Sequence, residues 1–188
     1  MLKKDKSPQG FIDKDIKQLL DLINRNKDYE TTSSCSRRIT IMNKQDKKES
    51  EWLFKSHSPV TSEELWNALQ KTKGRVWFMR EPVIVHVKCN SLEKAEKLLN
   101  IARQIGMKHS GIVSLTGDIV LEIRGSERVE AILDKELVSR DYIGVLVQEA
   151  NKKLLKAKEK IRLLEAAFAQ AALPEKTQKI YFHKLFIH

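Results

Sequence analysis

From Ile143 onward the apolar residues Ile143, Val147, Ala150, Leu154, Ala157, Ile161, Leu164 and Phe168 recur alternately four and three apart in an otherwise charged stretch. That spacing is a heptad seam, and a seam of this length predicts one long helix from near Ser139 to about Ala172, stopped by Pro174. At 1.5 Å per residue the helix would span about 45–50 Å, longer than the core of such a chain requires. It must therefore pack along another element of the chain or along a twin. Lys152, Lys153, Lys156, Lys158, Lys160 and Arg162 decorate its remaining faces. They form either a solvated charged surface or a rail for a polyanion.

The rest of the chain alternates helices with pairs of strands. Phe11, Ile12, Ile16, Leu19, Leu20 and Ile23 predict a first helix over 11–27. Strands follow at 39–43 and, after a charged turn over 45–50, at 51–57. Thr61 suits the N-cap of a helix from Ser62 to Lys73, with Glu63 and Glu64 in its first turn and Gly74 ending it. Strands at 76–80 and 83–89 flank Glu81-Pro82. In the second of these, Ile84, His86 and Lys88 share one face, and Val83, Val85 and Val87 the other. Ser91 caps a helix over 92–105 closed by Gly106. Strands at 112–115 and 119–124 are joined through Thr116-Gly117-Asp118 as a hairpin. The segment 125–136 reads equally as helix or extended chain. With no internal repeat or low-complexity linker, the expected fold is α+β (mixed α/β). It is one domain over 1–188 with a mixed or antiparallel sheet flanked by helices, a core over about 11–172 and a tail over 173–188.

Composition narrows the partners. The 188 residues carry 35 cationic against 25 acidic side chains, a net charge of +10. Balanced enrichment of both signs would not leave that excess, which favours an anionic partner, nucleic acid first and an anionic membrane second. No window approaches ~18 uninterrupted apolar residues, so no membrane span is expected. MLKKDKSPQG lacks the apolar run of a secretory signal. Cys35 and Cys89 make neither a metal spacing nor a disulfide framework, and the chain reads as cytosolic. The seven glycines form neither GxGxxG nor GxxxxGK[ST], which leaves no signal for a dinucleotide fold or a P-loop.

One short stretch concentrates chemistry. Thr31–Arg38, TTSSCSRR, holds five hydroxyls, a thiol and two guanidiniums in eight residues. Short hydroxyl side chains bond to nearby backbone, which predicts a loop or cap between helix and strand. The arginines add forks suited to phosphate or carboxylate. Cys35 is either a small packed thiol or a nucleophile in an electropositive setting. His57 and His86 sit on strand faces beside lysines. Each is either a hydrogen-bonded sheet residue or a group that takes a proton near neutral pH. Glu81 is a turn carboxylate or a second base.

Taken in order, TTSSCSRR, WLFKSHSPV, VWFMREPVIVHVKC, HSGIVSL and VSRDYIGVLVQEANKKL form a series over about 11–162. This series resembles the wybutosine-synthesis tRNA methyltransferase family, which methylates N-4 of a 4-demethylwyosine base next to the anticodon of tRNA(Phe). The resemblance implies an S-adenosylmethionine-dependent N-methyltransferase that does not use the glycine-rich Rossmann motif. It places the family's polar cluster on Thr32, Ser33, Ser34, Cys35, Ser36 and Arg38, with His57, Glu81, His86, Ser110 and Gly111 matching its later motifs. Catalytic roles are implied for His57, His86 or Cys35, and donor or substrate binding for the others, with no metal. The family pattern reads TSSCSGR, so Arg37 stands where glycine is usual. Glycine there permits a positive φ or a close backbone approach; an arginine redirects the loop or covers the pocket.

Two alternatives come from other function classes. One is a non-catalytic RNA-binding or assembly relative that has lost the donor. The other is a homodimeric scaffold built on the heptad seam or the apolar-aromatic tail over 180–188. The expected cleft brings the hydroxyl-thiol turn over the sheet face that carries both imidazoles.

Overall fold

The computed structural model describes residues 14–36, 38–43 and 51–171. Arg37, the charged turn over 45–50 and the tail over 180–188 lie outside the described residues. In chain order the elements begin α1 (Lys14–Arg25), β1 (Tyr29–Cys35), β2 (Arg38–Asn43), β3 (Glu51–Ser56), α2 (Ser62–Gln70) and β4 (Val76–Glu81). They continue β5 (Ile84–Cys89), α3 (Leu92–Gln104), β6 (Gly111–Ser114), β7 (Ile119–Arg124), β8 (Val129–Leu133) and α4 (Arg140–Ala171). The fold is α+β, as expected, with two four-stranded sheets in which every pairing is antiparallel. The chain divides into two compact units, one of Met1–Cys35, Ile84–Gly125 and Glu159–His188, the other of Ser36–Val83 and Ser126–Lys158.

The first unit holds the sheet β1-β5-β7-β6. Helix α1 buries Ile16, Leu19, Leu20 and Ile23, the stripe that the sequence spacing predicts. Asn24 then ties the helix to β1: its Nδ2 donates to Thr31 Oγ1 at 2.7 Å and its Oδ1 accepts from Thr31 N at 2.8 Å. The hydroxyl run is not a loop. It is the edge strand β1, paired with β5 from Tyr29↔Cys89 to Cys35↔Ile84. An edge strand has one neighbour, so hydroxyls are tolerated on it, and β-branched Thr31 and Thr32 suit the pleat. Ladder pairing to a distant strand thus outweighs the local bonds that made the stretch read as a turn. A bulge between Thr31 and Ser33 then sets Ser33 opposite His86. On β5, Val85, Val87 and Cys89 are buried while Ile84, His86 and Lys88 are only partly so, as the alternation predicts. Helix α3 is capped by Ser91, whose side chain accepts from Lys94 N, and Gly106 beyond it has φ 88°.

The second unit holds the sheet β3-β2-β4-β8. Its core joins Ile39, Ile41, Val76, Phe78 and Leu133 of the sheet to Leu65 and Leu69 of α2 and to Ile143, Val147 and Ala150 of α4. Within the segment 125–136, Val129–Leu133 forms strand β8 along β4, and the chain turns from Asp134 onward. Helix α2 starts in a full capping box: Thr61 accepts from Glu64 N, and the Glu64 carboxylate accepts from Thr61 N. It ends at Gln70 rather than Lys73, because Thr72 N and Oγ1 both donate to Leu69 O and close the last turn. Asn151 clamps the entry to α2, accepting from Val60 N at 3.0 Å and donating to Val60 O at 2.8 Å.

Helix α4 contributes its first part to the second unit and, from Glu159, its last part to the first. All eight seam residues are buried within the chain, each at most 5% exposed. Tyr29 meets Phe168 edge-on with ring centroids 5.5 Å apart. Lys160 departs from the expected rail. It is buried, and its Nζ donates to Gly106 O at 2.7 Å, satisfying a carbonyl just past the end of α3. Lys153 donates to Arg128 O, while Lys152, Lys156 and Arg162 are exposed.

Candidate functional site

The candidate residues fall into two groups, one in each unit. In the first unit a polar row crosses three strands: Ser33 on β1 is the register partner of His86 on β5, and His86 of Glu122 on β7. Ser33 Oγ lies 2.7 Å from His86 Nδ1, and His86 Nε2 lies 2.9 Å from Glu122 Oε2. Both ring nitrogens are thus engaged. Glu122 Oε1 accepts from Arg124 Nη1 at 3.5 Å, and Thr32 Oγ1 donates to His86 O at 3.4 Å. Gly111 is the partner of Glu122 on β6, and a Cβ added there would meet nothing within 4 Å.

The neighbouring residues divide by face. Cys35, half-buried, pairs with Ile84, while Ser34 pairs with Val85 and so points to the other side of the sheet. Ser110 is buried, its Oγ accepting from Arg124 N at 3.0 Å and its carbonyl from Arg103 Nη2 at 3.3 Å. These bonds fix the start of β6 and the end of β7. Cys89 is deeply buried, which pushes its thiol up to about 11 and disarms it as a nucleophile.

In the second unit Arg38 and Glu81 are register partners on β2 and β4. Arg38 Nε donates to Glu81 Oε2, and the guanidinium lies over the Trp52 ring, 4.0 Å from its centroid. Trp52 is 41% exposed, so it offers an aromatic surface, whereas Phe78 belongs to the core. Ser36 is fully buried, and its Oγ lies 3.3 Å from His57 Nδ1. The chain around His57 is tightened by Ser56, whose Oγ donates to Ser58 O at 2.9 Å and accepts from Ser58 N at 3.1 Å.

Two of the expected hydroxyls therefore meet an imidazole: Ser33 with His86, and Ser36 with His57. An imidazole held between a hydroxyl and a carboxylate moves protons at neutral pH. A guanidinium laid on an indole beside a carboxylate binds flat or anionic groups. Glu122 escaped the sequence reading. Its signal is long-range, since only the pairing of β5 with β7 reveals that it faces His86. Arg80 escaped too. It is fully buried in β4 and donates through Nη1 to the backbone oxygen of Glu127. Among the described residues no group of three or more His, Cys, Asp or Glu side chains could hold a metal ion. No described helix is long and apolar enough to cross a membrane.

Residues 1–170 match the family described as Methyltransferase TYW3. A Thermococcus sibiricus protein named tRNA(Phe) 7-((3-amino-3-carboxypropyl)-4-demethylwyosine(37)-N(4))-methyltransferase is 43% identical over 169 residues, covering 86% of each chain. A Xenopus laevis tRNA wybutosine-synthesizing protein 3 homolog is 36% identical over 92% of this chain and 73% of its own. Among solved structures, the PH1069 protein of Pyrococcus horikoshii superposes with a TM-score of 0.79 at 36% identity, over 85% of this chain and 87% of that one.

Proposed function

Because the chain belongs to the methyltransferase TYW3 family, we propose that it methylates N-4 of a 4-demethylwyosine-type base next to the anticodon of tRNA(Phe), with S-adenosylmethionine as donor. The chain is a tRNA methyltransferase of wybutosine biosynthesis and works in the cytoplasm, where its tRNA substrate is modified.

The observation that carries this reading is the pairing of the motif hydroxyls with the motif imidazoles, Ser33 with His86 and Ser36 with His57. Transfer to a ring nitrogen requires that nitrogen to lose a proton, and these are the groups equipped to receive it. The donor supplies an electrophilic methyl group on a sulfonium. Within the second unit, Trp52, which is 41% exposed, would offer a purine aromatic surface, and Arg38 beside Glu81 would donate to a carboxylate or phosphate. Methyl transfer from a sulfonium needs little covalent help, so positioning supplies most of the rate and Cys35 is not required as a nucleophile. The exposed Lys152 and Lys156 supply non-specific attraction for the tRNA backbone.

The test is to incubate the full chain with methyl-labelled S-adenosylmethionine and tRNA(Phe) bearing the demethylated base, then digest the RNA to nucleosides. Label in the wyosine nucleoside is expected. Donor binding by calorimetry without label transfer would leave a non-catalytic relative.

A further inference from the structure

We propose that the group taking the substrate proton is the Ser33 hydroxyl, with His86 and Glu122 behind it as positioning residues that receive the proton and its charge. This rests on the methyl-transfer reading above and names the residues of one proton path within it.

The argument begins with valence. A carboxylate can only accept hydrogen bonds, so the 2.9 Å contact of His86 Nε2 with Glu122 Oε2 requires the proton on Nε2. A neutral ring then has a bare Nδ1, and the only role left to Ser33 at 2.7 Å is to donate to it. The bond fixes where the serine proton points and leaves the oxygen's lone pairs free for an incoming N–H. With both ring nitrogens bonded, a proton from a ligand reaches His86 through Ser33 among the described contacts.

The row is built into the sheet rather than assembled from loops. Ser33, His86 and Glu122 are successive register partners across β1, β5 and β7, and the β1 bulge is what brings Ser33 into line. Arg124 holds the second Glu122 oxygen. Three adjacent strands of one ladder are a stiff mount for a proton path.

The step balances. Ser33 Oγ takes the N–H proton of the ring nitrogen as its own proton passes to His86 Nδ1. The nitrogen–methyl bond forms while the methyl–sulfur bond breaks, its electron pair staying on sulfur. The positive charge lost at the sulfonium reappears as an imidazolium beside the Glu122 carboxylate. Glu122 thus stabilises a charge that exists only once the proton has moved, which lowers the barrier rather than tightening ground-state binding.

Two measurements on the full chain decide this. In the ligand-free protein, nitrogen-15 spectra of the neutral His86 ring should show the proton on Nε2, and Glu122→Gln should shift that tautomer. In single-turnover methylation of the demethylated tRNA, Ser33→Ala and Glu122→Gln should each lose about tenfold or more in rate with little change in tRNA affinity. The double variant should be no slower than Ser33→Ala alone, because the two act on one path. Glu122→Asp should recover part of the loss, and melting curves confirm that each variant is folded. A wild-type rate in folded Ser33→Ala, multiplicative losses in the double variant, or an Nδ1-protonated ring would overturn the proposal. A wild-type protein that transfers no methyl group sinks the methyl-transfer reading itself.

Discussion

The Arg38 guanidinium rests on the Trp52 indole, 4.0 Å from its centroid, while its Nε donates to Glu81. Planarity lets one side chain do both at once. An ammonium cannot. The two charged side chains are only 23% and 35% exposed, so the pair contributes somewhat more than an exposed ion pair, on the order of 1–2 kcal/mol. Arg38→Ala should therefore lower the melting transition by only a few degrees while lowering single-turnover methylation by roughly tenfold or more, the value of a charge-assisted bond to ligand. Arg38→Lys should recover little of that rate. Equal turnover in Arg38→Ala would remove the residue from the site.

The long helix makes a prediction about salt. Lys152 and Lys156 are exposed, whereas Lys160 is buried and donates to Gly106 O. Binding of tRNA should weaken steeply with added salt, and Lys152→Ala with Lys156→Ala should flatten the log–log slope by about 1 for each phosphate no longer neutralised. Lys160→Met should leave the slope alone, although it strips a hydrogen bond from the Gly106 carbonyl. Filter-binding titrations over a range of ionic strength provide the check. A slope unmoved by the double change would mean that this face meets only water.

How much of this was legible beforehand depends on the range of the interaction. The α4 seam, the Thr61 and Ser91 caps, and the alternation of His86 against Val85 and Val87 were all readable, because each is a local pattern with a fixed period or offset. The strand Tyr29–Cys35 was misread because its residues are turn formers by local chemistry, and only pairing with β5 makes them extended. Lys160 was misplaced because heptad spacing locates the seam but does not say how far flanking positions are covered. For the site, the motif series named Ser33, His86, Ser36, His57, Arg38 and Glu81. It could not name Glu122, which lies 36 residues from its partner His86 and is joined to it only by sheet register.

The capping box of α2 carries an acid-side prediction. Hydrogen bonds from the Thr61 backbone, and then from its side chain, hold the Glu64 carboxyl below its ordinary value of 4.5. A carboxylate with a lowered folded-state pKa stabilises the fold above its unfolded value, and that contribution is lost as pH falls through the folded one. Below 4.5, therefore, wild type should lose helix α2 stability that a Glu64→Ala variant, which has no carboxylate for the Thr61 N–H, never had. Denaturant midpoints of the two proteins should differ at neutral pH and converge in acid. A constant gap across that range would mean the box contributes nothing through its charge.

The alkaline limit is set by two register partners, Tyr29 and Cys89. Burial, then the nearby Cys89 and Asp28, raises Tyr29 from its ordinary 10.0 to about 12, and burial raises Cys89 from 9.0 to about 11. Each group is neutral in the folded protein and ionises more readily once unfolded. Each contribution is therefore complete below the unfolded pKa and disappears as pH climbs to the folded one. Cys89 should begin to act near pH 9.0, with Tyr29 following from 10.0 to about 12 as its hydroxyl loses the proton it donates to Lys94 O. Denaturant midpoints should decline through this window in two overlapping stages. Tyr29→Phe should remove the upper stage and Cys89→Ala the lower, each at the cost of some stability at neutral pH. A midpoint in Tyr29→Phe that still falls as steeply above pH 10 would show that the alkaline loss arises elsewhere.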